Sequence, residues 1–457
     1  MGRTLQLPYI GVLALLALSA GCREAAEPPG LPEAPAAERI ALRAWIIANT
    51  PLAERHFRAT IEPYMEQRPN LSVEVDVLSW DTAWSDILGA VTGGDGPDIL
   101  QLGTTWVPAV AAMDGLDELT DKIGDVGGAE AYLPASWRST MIEGEPEVYA
   151  VPWFVEARVL YYRKDAFRAA GVDPEAAFRD WGTFKDALSK VDGVRIGGES
   201  LSAFEVPGRG DWNVAHNLFP WIWGAGADVL TEDRKSAAFH SDQAARGVSY
   251  FTGLASEGLI DRVSLGKNSS QVENDFADGK TAVIMSGSWL FKDLILPRDD
   301  GGLGGIVREK DIGVSPLPKG PSGNYSFVGG SDLAVMRASK HKEEAWELIV
   351  YLSGDEAQLA YSSRTGMLPA KRKWLESREL AGMPGYAAFA ESVKHGKSYP
   401  SIPQWGPIET ALVKHFGGIW DTVAGAAGSN SEQDIRRRLD AAAREVNVIL
   451  SQGRESP

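Results

Sequence analysis

The sequence predicts an α/β fold of two or three domains, on three observations. The chain has 457 residues, more than one hydrophobic core normally organises. Its apolar share of 44% is that of an ordinary globular protein. From residue 40 onward, stretches with the period of a strand alternate with stretches compatible with a helix. The first strand is IALRAWII, 40–47, and a helix-compatible stretch then runs to Gln67. LSVEVDVL, 71–78, sets Leu71, Val73, Val75 and Val77 alternately with polar residues, the two-residue period of a half-buried strand. A second helical stretch starts at Asp81, and PDILQLG, 97–103, is the third strand. Strand, helix, strand, helix, strand is the order of a mainly parallel sheet covered by helices. Ligands of such sheets collect at the carboxyl ends of strands. Two strand ends are therefore singled out, Ala48 to Pro51 and Gly103 to Trp106.

Beyond these, YAVPWFVEARVLYYRKDAFRAAGVD, 149–173, reads as an extended Pro-containing strand followed by a helix that a glycine closes, a crossover between two lobes. An α-rich region follows, with aromatic residues crowded in DWNVAHNLFPWIWGAGAD, 211–228. QVENDFADG, KTAVIM and SGSW, 271–289, read as helix, strand and loop. SFVGGSDLAVMRASKHKEEAWELIVYL, 326–352, reads as strand, turn, strand and amphipathic helix. There is no internal repeat.

With 62 acidic against 45 basic residues the formal charge is −17. Phosphate binding needs a concentrated basic surface, so nucleic acid is excluded as a partner. The one basic cluster, Arg436, Arg437 and Arg438, reads as a solvated helix face. At the N-terminus Arg3 precedes IGVLALLALSA, 10–20, an apolar run too short to span a bilayer and read as a signal peptide, 1–21. It ends in LSAGC, which resembles a bacterial lipobox, with Ser19 where leucine is usual, and marks Cys22 for lipidation. Cys22 is the only cysteine, which excludes an internal disulfide framework or thiolate metal cluster. Residues 22–38, rich in Pro, Ala and Glu, read as a flexible tether. The six histidines are scattered and form no metal-ligand pattern, so neither metal nor cofactor is expected.

GPDILQLGTTW, YAVPW with LYYRKDAFRAAGV, FADGKTAVIMSGSW, and FVGGSDLAV followed by SKHKEEAWELIVYLS together resemble the family 1 extracellular solute-binding proteins of ABC importers, in the same order from about residue 40 to about 450. The resemblance implies a type II periplasmic-binding fold, two α/β lobes hinged around an interlobe ligand cleft. Lobe one is expected over 39–151 and 311–353, lobe two over 152–310 and 354–453, with crossings near Pro152, Asp311 and Ser353. It implies a non-enzymatic monomer in the cell envelope, facing the periplasm or exterior and held to a membrane by a lipid. Such a protein hands a neutral sugar or oligosaccharide to permease transmembrane subunits. A glycerol phosphate ester, a peptide or a polyamine stays open as cargo, as does a secreted glycosidase using carboxylates such as Glu156, Asp211 and Asp332.

For the cleft, the resemblance implies Trp289 as a stacking ring for sugar C–H groups, with Gly287 and Ser288 keeping the backbone open before it. Asn49 and Thr50 follow the first strand, and Thr104, Thr105 and Trp106 the third, although end-of-strand turns also favour small polar residues. Glu156 is expected to accept sugar hydrogen bonds or to pair with Arg158, and Gly330 and Ser331 to offer backbone amides. Trp153 and Trp405 are the further aromatic candidates, against the competing reading that most large aromatics sit in cores. His216 reads as a packing residue.

Overall fold

The computed structural model describes residues 39–425 and 431–452. The signal peptide, Cys22 and the tether through residue 38 lie outside the described residues, as does residue 453. The strands are, in order, β1 (Ile40–Ile47), β2 (Leu71–Leu78), β3 (Ile99–Gly103), β4 (Val151–Ala157), β5 (Val159–Arg163), β6 (Arg195–Ile196), β7 (Glu199–Ser200), β8 (Ser202–Glu205), β9 (Thr281–Ser286), β10 (Ile312–Ser315), β11 (Ser326–Val335), β12 (Leu368–Pro369) and β13 (Gly396–Lys397). β6 and β7 form a separate small hairpin, and the rest make two sheets. The first runs β12-β4-β11-β3-β1-β2, with β13 added beside β11. The second runs β10-β5-β9-β8.

The alternating pattern of residues 71–78 does what its period requires. β1 and β2 pair in parallel from Ile40 opposite Leu71 to Ile47 opposite Leu78, and the helix Ala53–Glu66 crosses between them. The next helix, Trp80–Gly93, starts on Ser79, whose side chain accepts from the Asp81 amide, and stops at Gly94, left-handed at φ 67°. β3 then joins β1 in parallel, so the carboxyl ends of all three strands share one edge.

The central strands of the two large sheets are buried on both faces, while the edge strand β2 keeps one face open. In the second sheet Leu160, Tyr162, Val283 and Met285 turn into a core with the helices Val214–Gly224, Asp242–Ser256, Trp405–Ala424 and Glu432–Gln452. Tyr161 and Ile284, one residue out of phase, turn into the core shared with the first sheet. Every residue of Val214–Gly224 is buried, the signature of a helix apolar all round.

The sheets also locate where the chain changes sides. β4 runs through Pro152 and on to Ala157 within the first sheet, and the change comes at Arg158, one residue before β5. Pro152 stays in the sheet beside a bulge at Trp153, which is skipped where Ser331 and Asp332 of β11 face Phe154 and Pro152, and a bulge tolerates a missing ladder donor. The return expected at Asp311 comes later, after β10, which is still paired with β5. The last change falls after β13 instead of at Ser353, because the helix Asp355–Thr365 packs on Ala53–Glu66 and β12 pairs with β4. SFVGGSDLAV is a single strand, not two strands about a turn. Gly330 makes that possible at φ 141°, where an added Cβ would stand 2.1 Å from the Phe154 carbonyl oxygen.

Candidate functional site

The carboxyl edge of the first sheet is organised by a residue that the sequence reading passed over. Gln101, fully buried in β3, accepts from the Ile47 amide at 2.8 Å and donates to the Ser331 hydroxyl at 2.8 Å and to Asn49 Oδ1 at 3.2 Å. A buried amide must spend its hydrogen bonds, and here that ties three strand ends into one plate. Asn49, half-buried, donates onward to the Tyr361 hydroxyl at 3.4 Å. Thr50 is instead engaged by His56, 3.1 Å from its ring nitrogen. Thr104 is half-buried, and its amide donates to the Gly330 carbonyl at 3.3 Å. Thr105 points across to the helix Trp405–Ala424, donating to Glu409 at 3.4 Å.

At the strand change stands an ion pair. Glu156 at the end of β4 and Arg158 are both buried, with 3.7 Å between Oε1 and Nη2. Arg158 also donates to Asn213 Oδ1 at 2.6 Å, and its guanidinium lies over the Trp289 ring, 4.9 Å from the centroid. Glu156 Oε2 and Arg158 Nε have no protein partner. Burial pushes the Glu156 carboxyl up, with Arg158 pulling the other way.

The small residues before Trp289 have a specific role. A Cβ on Gly287 would fall 1.8 Å from Cζ3 of the Trp289 ring, so the indole folds back onto the space that only glycine leaves open. Tyr161 fixes that turn by donating to the Gly287 carbonyl at 2.8 Å. The half-buried indole donates to Glu273 at 3.3 Å, and Ser286 donates to the same oxygen at 2.6 Å. Burial raises the Glu273 carboxyl, partly offset by the Ser286 bond and Arg158.

The opposite wall comes from helices. His216 stacks on Phe327 at 4.1 Å, meets the Tyr399 hydroxyl at 2.9 Å, and lies 3.8 Å from Glu409 Oε1. Burial, with Arg158 nearby, holds its ring well below the usual histidine range and therefore neutral. Glu409 is fully buried, and burial pushes its carboxyl to about 8. Asn217 is buried with an unpartnered Oδ1. Glu156, Arg158, Trp289 and Glu273 thus form one contact chain where β4 passes to β5, and His216 and Glu409 face each other on the helical side.

Three expected aromatic contacts are enclosed by other rings. Trp153 stacks on Tyr361 at 4.3 Å and meets Phe57 edge-on at 5.9 Å. Trp405 is fully buried against Tyr399 at 4.4 Å. Trp106 lies between Trp80 and Trp84 at 5.4 and 5.5 Å. Two of the three acidic residues named for a glycosidase are committed elsewhere. Asp211 accepts from the Asn213 and Ser269 amides, both at 2.7 Å. Asp332, with no exposed surface, accepts from Ser139 at 2.9 Å. Among the described residues, no group of His, Cys, Asp and Glu is placed to hold a metal ion, and no helix is long and apolar enough to cross a membrane.

Comparison with known proteins agrees with this arrangement. The diacetylchitobiose-binding protein DasA of Streptomyces coelicolor is 25% identical over 376 residues, 80% of this chain and 81% of its own. A maltooligosaccharide ABC transporter solute-binding lipoprotein of Streptococcus pneumoniae is 24% identical over 365 residues, 76% of this chain and 78% of its own. The fold superposes on an ABC transporter solute-binding protein of Thermotoga lettingae, bound with α-D-tagatose, with a TM-score of 0.76. That match has 22% identity and covers 90% of this chain and 99% of the other. The sheets are thus those of the two-lobed binding-protein fold. The family model for bacterial extracellular solute-binding proteins matches residues 49–359, and the chain belongs to that family.

Proposed function

We propose that this protein captures a neutral sugar or oligosaccharide at the seam between its two sheets and delivers it, chemically unaltered, to the transmembrane subunits of an ABC importer. The observation that carries the reading is the set of buried polar groups linked to Trp289 through Arg158 and Glu273, with unpartnered atoms among the buried groups nearby. Glu156 Oε2, Arg158 Nε and Asn217 Oδ1 are unpartnered in the protein, and together they offer the alternating acceptors and donors that vicinal hydroxyls match. Asn49 and Ser331 extend this set along the first sheet. Trp106, Trp153 and Trp405 shape the wall from behind. The named sugars of the two relatives point to the same class of cargo.

The charge at the seam argues against a phosphate ester, because the guanidinium of Arg158 is already met by Glu156. The commitments of Asp211 and Asp332 argue against a pair of catalytic carboxylates. Cys22 is the proposed lipid attachment, with residues 22–38 as spacer, holding a monomer at the envelope surface. The pneumococcal relative is itself a lipoprotein.

Titration of residues 39–457 with a panel of mono- and oligosaccharides, followed by tryptophan fluorescence and calorimetry, tests the reading. One saturable site for a neutral sugar is expected, with the sugar recovered intact by chromatography after long incubation. Binding of glycerol phosphate or spermidine in its place, or any product, would overturn it.

A further inference from the structure

Trp80 begins the helix Trp80–Gly93 directly behind the carboxyl end of β2, and 40% of its surface stays exposed. The ring is not free to swing. Its inner side lies against Trp106, with centroids 5.4 Å apart and planes at 60°, and Trp84 backs Trp106 at 5.5 Å. Gly103 lies directly beneath it, where even an added Cβ would meet Cζ3 of Trp80 at an ordinary contact distance of 3.5 Å. One side of the indole is thus fixed by packing and the other is open at the edge where β1, β2 and β3 end.

This open ring is continuous with the seam. Gly103 pairs with Ser331 of β11, Ser331 with Phe154 of β4, and Gly329 with Glu156. Two strand spacings of about 4.8 Å and two residues of about 3.3 Å rise place the Gly103 and Glu156 backbones roughly 12 Å apart. The path between them passes the half-buried Thr104 and the plate of Gln101, Asn49 and Ser331. A single pyranose held at Trp289 and Glu156 does not reach Trp80. A linear chain of sugars does, and a fixed indole with one open face suits the C–H face of a pyranose.

We infer that Trp80 is an outer stacking platform for the second or third ring of a linear oligosaccharide whose inner ring lies at Trp289, Glu156 and Arg158, so that the natural ligand is an oligosaccharide and not a monosaccharide. The inference rests on the sugar reading of the seam and adds ligand length and polarity to it: the chain leaves the seam along the ends of β11 and β3. Trp80 was not among the residues legible as ligand contacts from the sequence, because it falls between the strand 71–78 and the helical stretch read from Asp81.

The test titrates residues 39–457, as wild type, W80A, W80L and W80F, with glucose through maltotetraose and with N-acetylglucosamine through chitotetraose. Wild-type affinity should rise with length up to three rings. W80A and W80L should lose about three- to tenfold on the three-ring sugars and nothing on the single rings, while W80F keeps most of the wild-type affinity. Because W80L retains bulk over Trp106, its melting temperature guards against a folding defect in W80A. Equal losses at all lengths, no loss at any length, or a wild type that prefers a monosaccharide would overturn the inference. Wild-type failure to bind any sugar would sink the sugar reading itself, and the inference with it. Unchanged affinities with impaired uptake in cells would assign Trp80 to a protein contact and equally overturn it.

Discussion

Replacing Trp289 with alanine should weaken sugar binding by roughly tenfold to a hundredfold while the fold survives. The ring is half-buried and holds two neighbours in place, the Glu273 carboxyl through its N–H and the Arg158 guanidinium over its face. Stacking together with the area it removes from water is worth about 1 to 3 kcal/mol, which sets the loss in affinity. The cost to stability should stay at about 1 to 2 kcal/mol, because much of the indole is not core. Urea unfolding and calorimetric titration of the same variant separate the cases. A loss of about 3 to 5 kcal/mol in stability, the range for a truncated core aromatic, with an unchanged dissociation constant would make Trp289 a packing residue.

Arg158→Ala should be the most damaging single change at the seam, costing about 3 kcal/mol of stability near neutral pH and abolishing measurable sugar binding. It leaves Glu156 buried without its counter-charge, and breaking one half of a buried ion pair is penalised far more than replacing both halves. The loss should depend on pH in a defined direction. Burial already raises the Glu156 carboxyl, and removing Arg158 raises it further. A carboxyl raised in the folded state contributes its stability below the unfolded value near 4.5 and loses it as pH climbs through the folded value. The variant should therefore be closest to wild type near pH 4.5 and fall behind as pH rises above it. The double variant Glu156→Gln, Arg158→Met should recover most of the stability and none of the binding. A pH-independent defect, or a double variant as unstable as the single one, would show that the pair is not the cause.

Much of the first sheet was legible because its signals are local. The apolar run 40–47, the alternation in 71–78 and the buried run 97–103 each announce a strand within a few residues, and β1, β2 and β3 stand there. The lobe boundaries were not, because sheet membership is decided by pairing between distant segments. Pro152 reads as a break, yet pairing with the distant Asp332, across a bulge at Trp153, keeps it in the sheet. The double glycine at 329–330 reads as a turn for the same reason. Its actual cause is the close approach of the Phe154 carbonyl.

The site divides in the same way. Asn49 and Thr105 were visible as small polar residues at strand ends, and Ser331 through the double glycine before it. Gln101 and Glu409 carried a fainter signal, a polar residue on an otherwise apolar face. In the helix Trp405–Ala424, Glu409 takes its place among the buried positions Trp405, Ile408, Leu412 and Phe416, where a helical period calls for an apolar side chain. The aromatic candidates could not be sorted, because a tryptophan in a core and one at a wall look alike until their neighbours are known.

The central claim, that sugar is held between the sheets, is tested most directly by the crystal structure of residues 39–457 with the tightest-binding sugar of the panel. The expected result is a pyranose ring against Trp289, with hydroxyls bonded to Glu156, Arg158 and Asn217 and the chain leading toward Trp80. A sugar bound instead in the open groove between Tyr162, Lys164, Phe291, Arg308 and Tyr386, with the seam residues untouched, would contradict it.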